Sequence, residues 1–287
     1  MKKFWVFVFI LWPIIAVASC VIAPSQRWWF PGAAESPIGK QIDDLFYMIL
    51  IIVTIVFVGV EVALGYVLWR GARDTEAPGR AMFTHGSHSL EVIWTIVPAG
   101  VLLFIALYQL DTWAAYRVKE TYPMESRLNP IAEITARQFE WRLRYPARTR
   151  KFKSLADVDN WLKKPEPGDL YAVNELHVPT GRTIVVHLRS SDVQHAFFVP
   201  NLRVKQDAVP GLVIPIMFEV LSPGPYEWVC AELCGWGHYK MKARVIAQPP
   251  DDYDAFLKQL EREQFDDGVT NRVAANGPAE KSGPTEK

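Results

Sequence analysis

Cysteine is scarce, with three residues in a chain of 287. Two of them stand four positions apart, which excludes a disulfide framework and leaves Cys230 and Cys234 as ligand candidates and Cys20 as a separate case. Net charge is missing too. Lysine plus arginine equals aspartate plus glutamate at 31 each, so no global field draws the chain toward nucleic acid or acidic substrates. There is no internal repeat. Apolar surface, by contrast, is abundant: half of the residues are hydrophobic, more than a purely soluble domain needs.

Much of that surface lies in three runs. The first, over residues 1–19, has a basic start, an apolar stretch and small residues before Cys20, and reads as a secretory signal. Its Val-Ala-Ser-Cys ending resembles the lipoprotein box of bacteria, which implies cleavage before Cys20 and a lipid on its sulfur; the competing reading is an uncleaved anchor with an inert Cys20. Residues 20–44 then form a short external segment. The second and third runs, 45–69 and 92–113, are long enough and apolar enough to cross a bilayer as helices. Their connection, 70–91, carries Arg70, Arg73 and Arg80, and such a short basic loop belongs in the cytoplasm. The expectation is a transmembrane hairpin with both ends outside. Glu61, inside the first span, is expected to face a protein partner or water rather than lipid. Glu91, at the mouth of the second, suits a helix start by charge and dipole alone.

From about Ile131 the texture changes to short strand-like segments broken by proline and glycine, which indicates a β-sandwich or small barrel. The segment 148–168 interrupts it as a basic, helix-prone insertion. Residues 251–287 read as a short amphipathic helix and a disordered tail.

Chemistry is concentrated in Cys230-Ala-Glu-Leu-Cys-Gly-Trp-Gly-His-Tyr-Lys-Met241. Two thiols, an imidazole and a thioether on one loop favour copper over hard cations. The loop falls between the last two strands, where blue-copper folds carry their ligands, and one loop alone does not close a shell. His195, at a strand start, is the best further donor and His187 the runner-up; His177 reads as a strand residue, and His85 and His88 fall in the cytoplasmic loop. A disulfide, a structural zinc site of two cysteines and two histidines, and a mononuclear copper site remain alternatives. Zinc leaves Met241 unexplained, and a mononuclear site needs only one cysteine.

His195-Ala-Phe-Phe-Val-Pro followed by Cys-x-Glu-x-Cys-x-x-x-His-x-x-Met resembles cytochrome c oxidase subunit II, as do Leu90-Glu-Val-Ile-Trp-Thr-Ile-Val-Pro98 and Ala136-Arg-Gln-Phe-Glu-Trp141. The resemblance implies a membrane-anchored all-β chain, a two-helix hairpin followed by a cupredoxin-like sandwich over 114–250. It implies a binuclear copper centre, CuA, with Cys230 and Cys234 bridging, His195 and His238 terminal, Met241 a weak ligand and the Glu232 carbonyl another. The Glu232 carboxylate would serve a magnesium or manganese ion shared with subunit I. Electrons would come from a cytochrome c, soluble or within a supercomplex, and go to haem in subunit I at the bacterial inner membrane. Glu91 matches the acidic residue that marks a proton path.

Two departures bear on this. Phe139 stands where many relatives have the tryptophan that takes up electrons, leaving Phe139 or Trp141 as candidates, and Leu212 stands in place of the usual arginine. There is no Cys-x-x-Cys-His, so no fused c-type cytochrome is expected and the donor is a separate protein. A quinol oxidase subunit would lack the copper ligands. A nitric oxide reductase-like complex and a copper-binding protein without a catalytic partner are the other readings. On the lipoprotein reading, mass spectrometry of the mature chain should find a modified Cys20 at the N-terminus; an intact Met1 with an unmodified Cys20 would refute it.

Overall fold

The computed structural model describes residues 2–26, 28, 32–73 and 85–265, in two units that are taken separately. Arg80 and the expected tail after Phe265 lie outside the described residues. Helices α1 (Lys2–Ser25), α2 (Pro37–Arg73) and α3 (His88–Tyr108) supply the first unit. Cys20 lies within α1, as a free thiol. Helix α3 has 21 residues, which at the α-helical rise is about 31 Å, close to the thickness of a bilayer's hydrocarbon. None of its residues is buried, and Trp94, Leu102 and Leu107 lie open. Glu61 is half-buried on α2, with Oε2 enclosed and without a hydrogen-bond partner among the described residues.

Both apolar helices differ in extent from the sequence expectation. The first starts at Pro37 rather than at 45, because Ser36 caps it: the Gly39 N–H donates to Ser36 Oγ at 2.9 Å, and proline follows at the first helical position. The second ends earlier than 113, at a cap on Gln109, and a separate helix α4 (Leu110–Arg117) follows.

The second unit comprises residues 34–40 and everything from Thr112. After the short helix α5 (Met124–Leu128) come β1 (Ala132–Arg137), β2 (Glu140–Tyr145), helix α6 (Leu155–Lys163) and β3 (Leu170–Val173). Strands β4 (Glu175–Pro179), β5 (Ile184–Ser190), β6 (His195–Val199), β7 (Val204–Ala208) and β8 (Ile214–Phe218) follow. The last elements are β9 (Gly224–Cys230), β10 (Lys242–Gln248) and helix α7 (Pro250–Phe265). They make two five-stranded sheets, ordered β3-β2-β1-β5-β8 and β4-β10-β9-β6-β7. The strand-like stretch Ile131–Tyr145 is a hairpin that turns at Gln138-Phe139.

Alternation fills the space between the sheets. Ile134 and Ala136 of β1, Trp141 and Leu143 of β2, Phe197 of β6 and Trp228 of β9 are all buried. Trp228 packs at a tilt against both Trp141 and Phe197, with ring centroids 4.6 and 4.7 Å away. The 34–40 segment is tied to this unit by three hydrogen bonds: Glu35 N to Asn201 O at 2.9 Å, Leu221 N to Glu35 O at 3.0 Å, and Ser36 Oγ to Leu202 O at 2.7 Å.

The insertion is anchored rather than loose. Its helix α6 starts on a capping box of Ser154 and Asp157 and buries Val158, Trp161 and Leu162. Beneath it, the buried Arg144 guanidinium pairs with Glu133 at 2.6 Å and Asp169 at 2.8 Å, donates to Trp161 O at 2.9 Å and lies 4.3 Å from the Trp161 ring centre. Removing one partner of such a group leaves buried charge uncompensated. Arg144→Ala should therefore lower the unfolding free energy by about 3–5 kcal/mol, measured by denaturant titration of the full chain in detergent; a loss below about 1 kcal/mol would contradict this role.

Candidate metal centre

Three strands converge at one end of the second sheet, and their period-2 alternation decides which side chains point inward. Along β9 the buried residues are Tyr226, Trp228 and Cys230. Along β10 they are Ala243, Val245 and Ala247, and one step back in the same phase stands Met241. The two strands pair antiparallel, Trp228 opposite Ala243, and the ladder extends to Cys230 N donating to Met241 O at 3.1 Å. Strand β6 flanks β9 with Phe197 opposite Cys230, so His195, in phase with Phe197 and Val199, arrives at the same end.

The loop between β9 and β10 adds the remaining donors. Cys234 and His238, four residues apart around a short 3-10 turn (His238–Lys240), face each other with Sγ and Nδ1 at 3.6 Å. Cys230 Sγ lies 3.9 Å from Cys234 Sγ, 3.9 Å from His195 Nδ1 and 3.2 Å from the Glu232 carbonyl. Cys234 Sγ lies 3.9 Å from Met241 Sδ. At 3.9 Å the sulfurs are well beyond the length of a disulfide bond, and both cysteines are free thiols. The donor atoms of His195, Cys230 and Cys234 all lie within 4.8 Å of one another. Two thiols, a thioether and the His195 imidazole, all buried, with the half-buried His238 beside them, are a donor set that fits copper.

Groups around the donors set their orientation and charge. His195 is completely buried, and its Nε2 meets Asp192 Oδ1 at 2.8 Å, which leaves Nδ1 toward the sulfur. Burial alone works against a charged His195 ring, but its hydrogen bonds with Cys230 and Asp192 prevail and raise its pKa. Burial also opposes ionisation of Cys230; hydrogen bonds from His195 and from the Ala196 backbone overcome it and bring that thiol down to about 6. Cys234 goes the other way, to about 12, through burial and then the neighbouring Cys230 charge. The neighbouring thiols are thus shifted in opposite directions, Cys230 down and Cys234 up.

The structure brings His195, Cys230, Glu232, Cys234, His238 and Met241 together. It leaves His187 outside: that residue is on β5 in the other sheet, its Nε2 enclosed without a partner among the described residues, and burial depresses its pKa to about 4. His177 stacks on Phe256, with ring centres 3.6 Å apart. Trp141 has no exposed surface; it packs under His195, with ring centres 6.2 Å apart, and so offers no face to an external electron donor. Phe139 is partly exposed, against the metal loop. Glu91 lies in the first turn of α3. Two supporting residues escaped sequence reasoning. Asp192 is one, and Gln138 is the other, with Nε2 donating to Cys234 O at 2.6 Å. A signal for the close approach was present in Gly235 and Gly237: a Cβ on Gly237 would lie 2.5 Å from the Phe139 ring, and Gly235 has a φ of +128°.

This arrangement defines a class: a membrane-anchored protein with an extramembrane cupredoxin-like sandwich that carries a buried soft-metal site at one end. The family model for the transmembrane domain of cytochrome c oxidase subunit II matches residues 24–112, and that for its periplasmic domain matches 131–248. The chain belongs to the cytochrome c oxidase subunit II family, and membership implies a copper centre at this cluster. The alternative cytochrome c oxidase subunit 2 of Bradyrhizobium diazoefficiens is 31% identical over 259 residues, covering 86% of this chain and 89% of that one. Cytochrome c oxidase subunit 2 of Cereibacter sphaeroides is 30% identical over 245 residues, covering 79% and 78%. The crystal structure of the periplasmic domain of subunit II of cytochrome oxidase of Bradyrhizobium japonicum aligns with 46% of this chain and 93% of its own at a TM-score of 0.38 and 22% identity.

If Asp192 orients His195 as described, Asp192→Asn should weaken copper affinity of the full chain by about 10–100-fold in competition with a chelator, at unchanged stability of the metal-free protein. An unaltered affinity would remove Asp192 from the site.

Proposed function

We propose that this chain is the electron-accepting subunit II of a terminal haem-copper oxidase. It would take electrons from a cytochrome c, soluble or held in a supercomplex, for haem in subunit I, where oxygen is reduced to water and protons are pumped. A binuclear CuA centre bound at the loop would supply one-electron chemistry, its charge shared over two metals. Cys230 and Cys234 would hold the ions through sulfur and His195 and His238 through ring nitrogens, and Met241 and the Glu232 carbonyl would be the weak ligands. The single observation that carries this reading is that two sulfurs, two imidazole nitrogens, a thioether and a carbonyl face one another at the end of the sandwich.

The chain's own residues then have definable tasks. Asp192 holds the His195 tautomer, Gln138 holds the Cys234 carbonyl, and burial of Cys230, Cys234 and Met241 keeps water off the donors. The Glu232 carboxylate, not needed by the soft ions, would go to a magnesium or manganese ion shared with subunit I. Phe139, beside the metal loop, is the better of the two sequence candidates for electron uptake. Glu91 would mark the start of a proton path into subunit I.

Location follows the same logic. Residues 34–40 share hydrogen bonds with the sandwich, which supports both ends of the helix pair lying on one side of the membrane. We place that side in the periplasm of a bacterium, the 70–91 loop in the cytoplasm, and a lipid on Cys20 after removal of 1–19.

Two tests separate the parts. The electron-spin spectrum of the oxidised, copper-loaded full chain should show one unpaired electron spread over two copper nuclei; a signal from a single nucleus would refute CuA. In the purified oxidase, Glu91→Gln should slow turnover by about tenfold or more while the copper spectrum stays intact, and wild-type turnover would take Glu91 off the proton path.

A further inference from the structure

Of the described large apolar side chains in the sandwich unit, the three most exposed all sit on the metal loop: Leu233 and Trp236 at 79% and Tyr239 at 68%. Single exposed apolar residues are ordinary, but three within one loop, beside buried metal donors, mark a contact surface. The surface is held in place. The Trp236 ring packs edge-on against Phe139, with centres 5.1 Å apart and planes at 70°. Phe139 in turn occupies the space that Gly237, lacking a Cβ, leaves open. The Lys240 ammonium lies 5.8 Å from the Trp236 ring centre and 5.5 Å from that of Tyr239. Rigid aromatic side chains of this kind give a large contact area at small cost in conformational entropy.

The charges around the platform balance in number, Arg137, Arg142, Lys240 and Lys242 against Glu140, Glu227, Asp192 and Glu232. Arg137 and Arg142 both pair with Glu140, at 3.3 and 2.7 Å, and Lys242 pairs with Glu227 at 3.4 Å. Asp192 is engaged by His195 and by the Gln138 N–H, and Glu232 is half-buried. A rim of compensated charge gives little long-range steering, so apolar contact must supply the affinity.

Resting on the electron-transfer reading above, we infer that Trp236, two residues from Cys234 and two from His238, is the contact residue for a soluble one-electron carrier protein. That partner has an apolar face around the edge of its redox group, and its docking depends little on ionic strength. The step served moves one electron from the carrier, which is oxidised, into the sandwich end, which is reduced. No bond forms or breaks, and no proton is required. Phe139 is then the ring beneath the platform rather than its outermost point.

Stopped-flow mixing of the copper-loaded full chain with a reduced mitochondrial-type cytochrome c tests this. Trp236→Ala should lower the second-order rate constant by about tenfold or more, Trp236→Phe should keep it within about threefold, and Leu212→Ala, an exposed site off the loop, should leave it unchanged. The wild-type rate should vary less than about threefold between roughly 20 and 200 mM salt. On the metal-free chain, surface plasmon resonance should give the same order for the Kd of oxidised cytochrome c. Equal rates and affinities for wild type and Trp236→Ala, a steep salt dependence, or no reaction of the wild type with cytochrome c would each overturn the inference. Failure of the electron-transfer reading would look different: a loaded chain that not even dithionite reduces.

Discussion

The structure depends on one constraint, the strict alternation of side chains along three neighbouring strands. Because β6, β9 and β10 are paired in fixed register, the residues in phase with Phe197, Trp228 and Ala243 all point to the interior. The last such residue at that end, in or just beyond each strand, is a candidate metal donor: His195, Cys230 and Met241. A register slip of one residue on any strand would turn its donor outward and break the site. The same ladder that buries the tryptophans of the core therefore positions the chemistry. Only Cys234, His238 and the Glu232 carbonyl are left to the loop.

A second layer of contacts fixes what the ladder leaves free. Asp192 links His195 to the Gln138 backbone, and the Gln138 side chain reaches the Cys234 carbonyl. The turn between β1 and β2, which belongs to the other sheet, is thereby tied to the metal loop of the second. Phe139 closes this turn over Gly237 and supports Trp236. The donors thus sit between two sheets that cannot shift independently, which is the condition for a site whose geometry changes little when its charge does.

The donor set was legible in the sequence because ligand softness is a property of residue type and needs no fold. His195 could be chosen over His187 because it stands at a strand start, and the structure separates the two by a whole sheet. The apolar helices were legible from length and hydropathy, but not their limits. The Ser36-Pro37 cap lies in polar sequence outside the apolar window, and Gln109 carries no breaker signal. The break in the stretch Ile131–Tyr145 was hidden for a similar reason: Gln138-Phe139 contains none of the residues that announce a turn. Strand β3 is short and follows the insertion, so its four residues offered no periodicity. Trp141, offered by the sequence as an electron-entry candidate, is instead turned inside by the alternation of Glu140-Trp141-Arg142-Leu143. Asp192 and Gln138 were out of reach, because such supporting contacts depend on where loops meet.

The central claim is that the paired strands and the metal loop bring these donors together at one end of the sandwich. A crystal structure of the copper-loaded full chain tests this most directly. The expected result is that His195, Cys230, Cys234, His238 and Met241 all surround the bound copper. Copper held by other residues, or with His195 turned away from Cys230, would contradict the account.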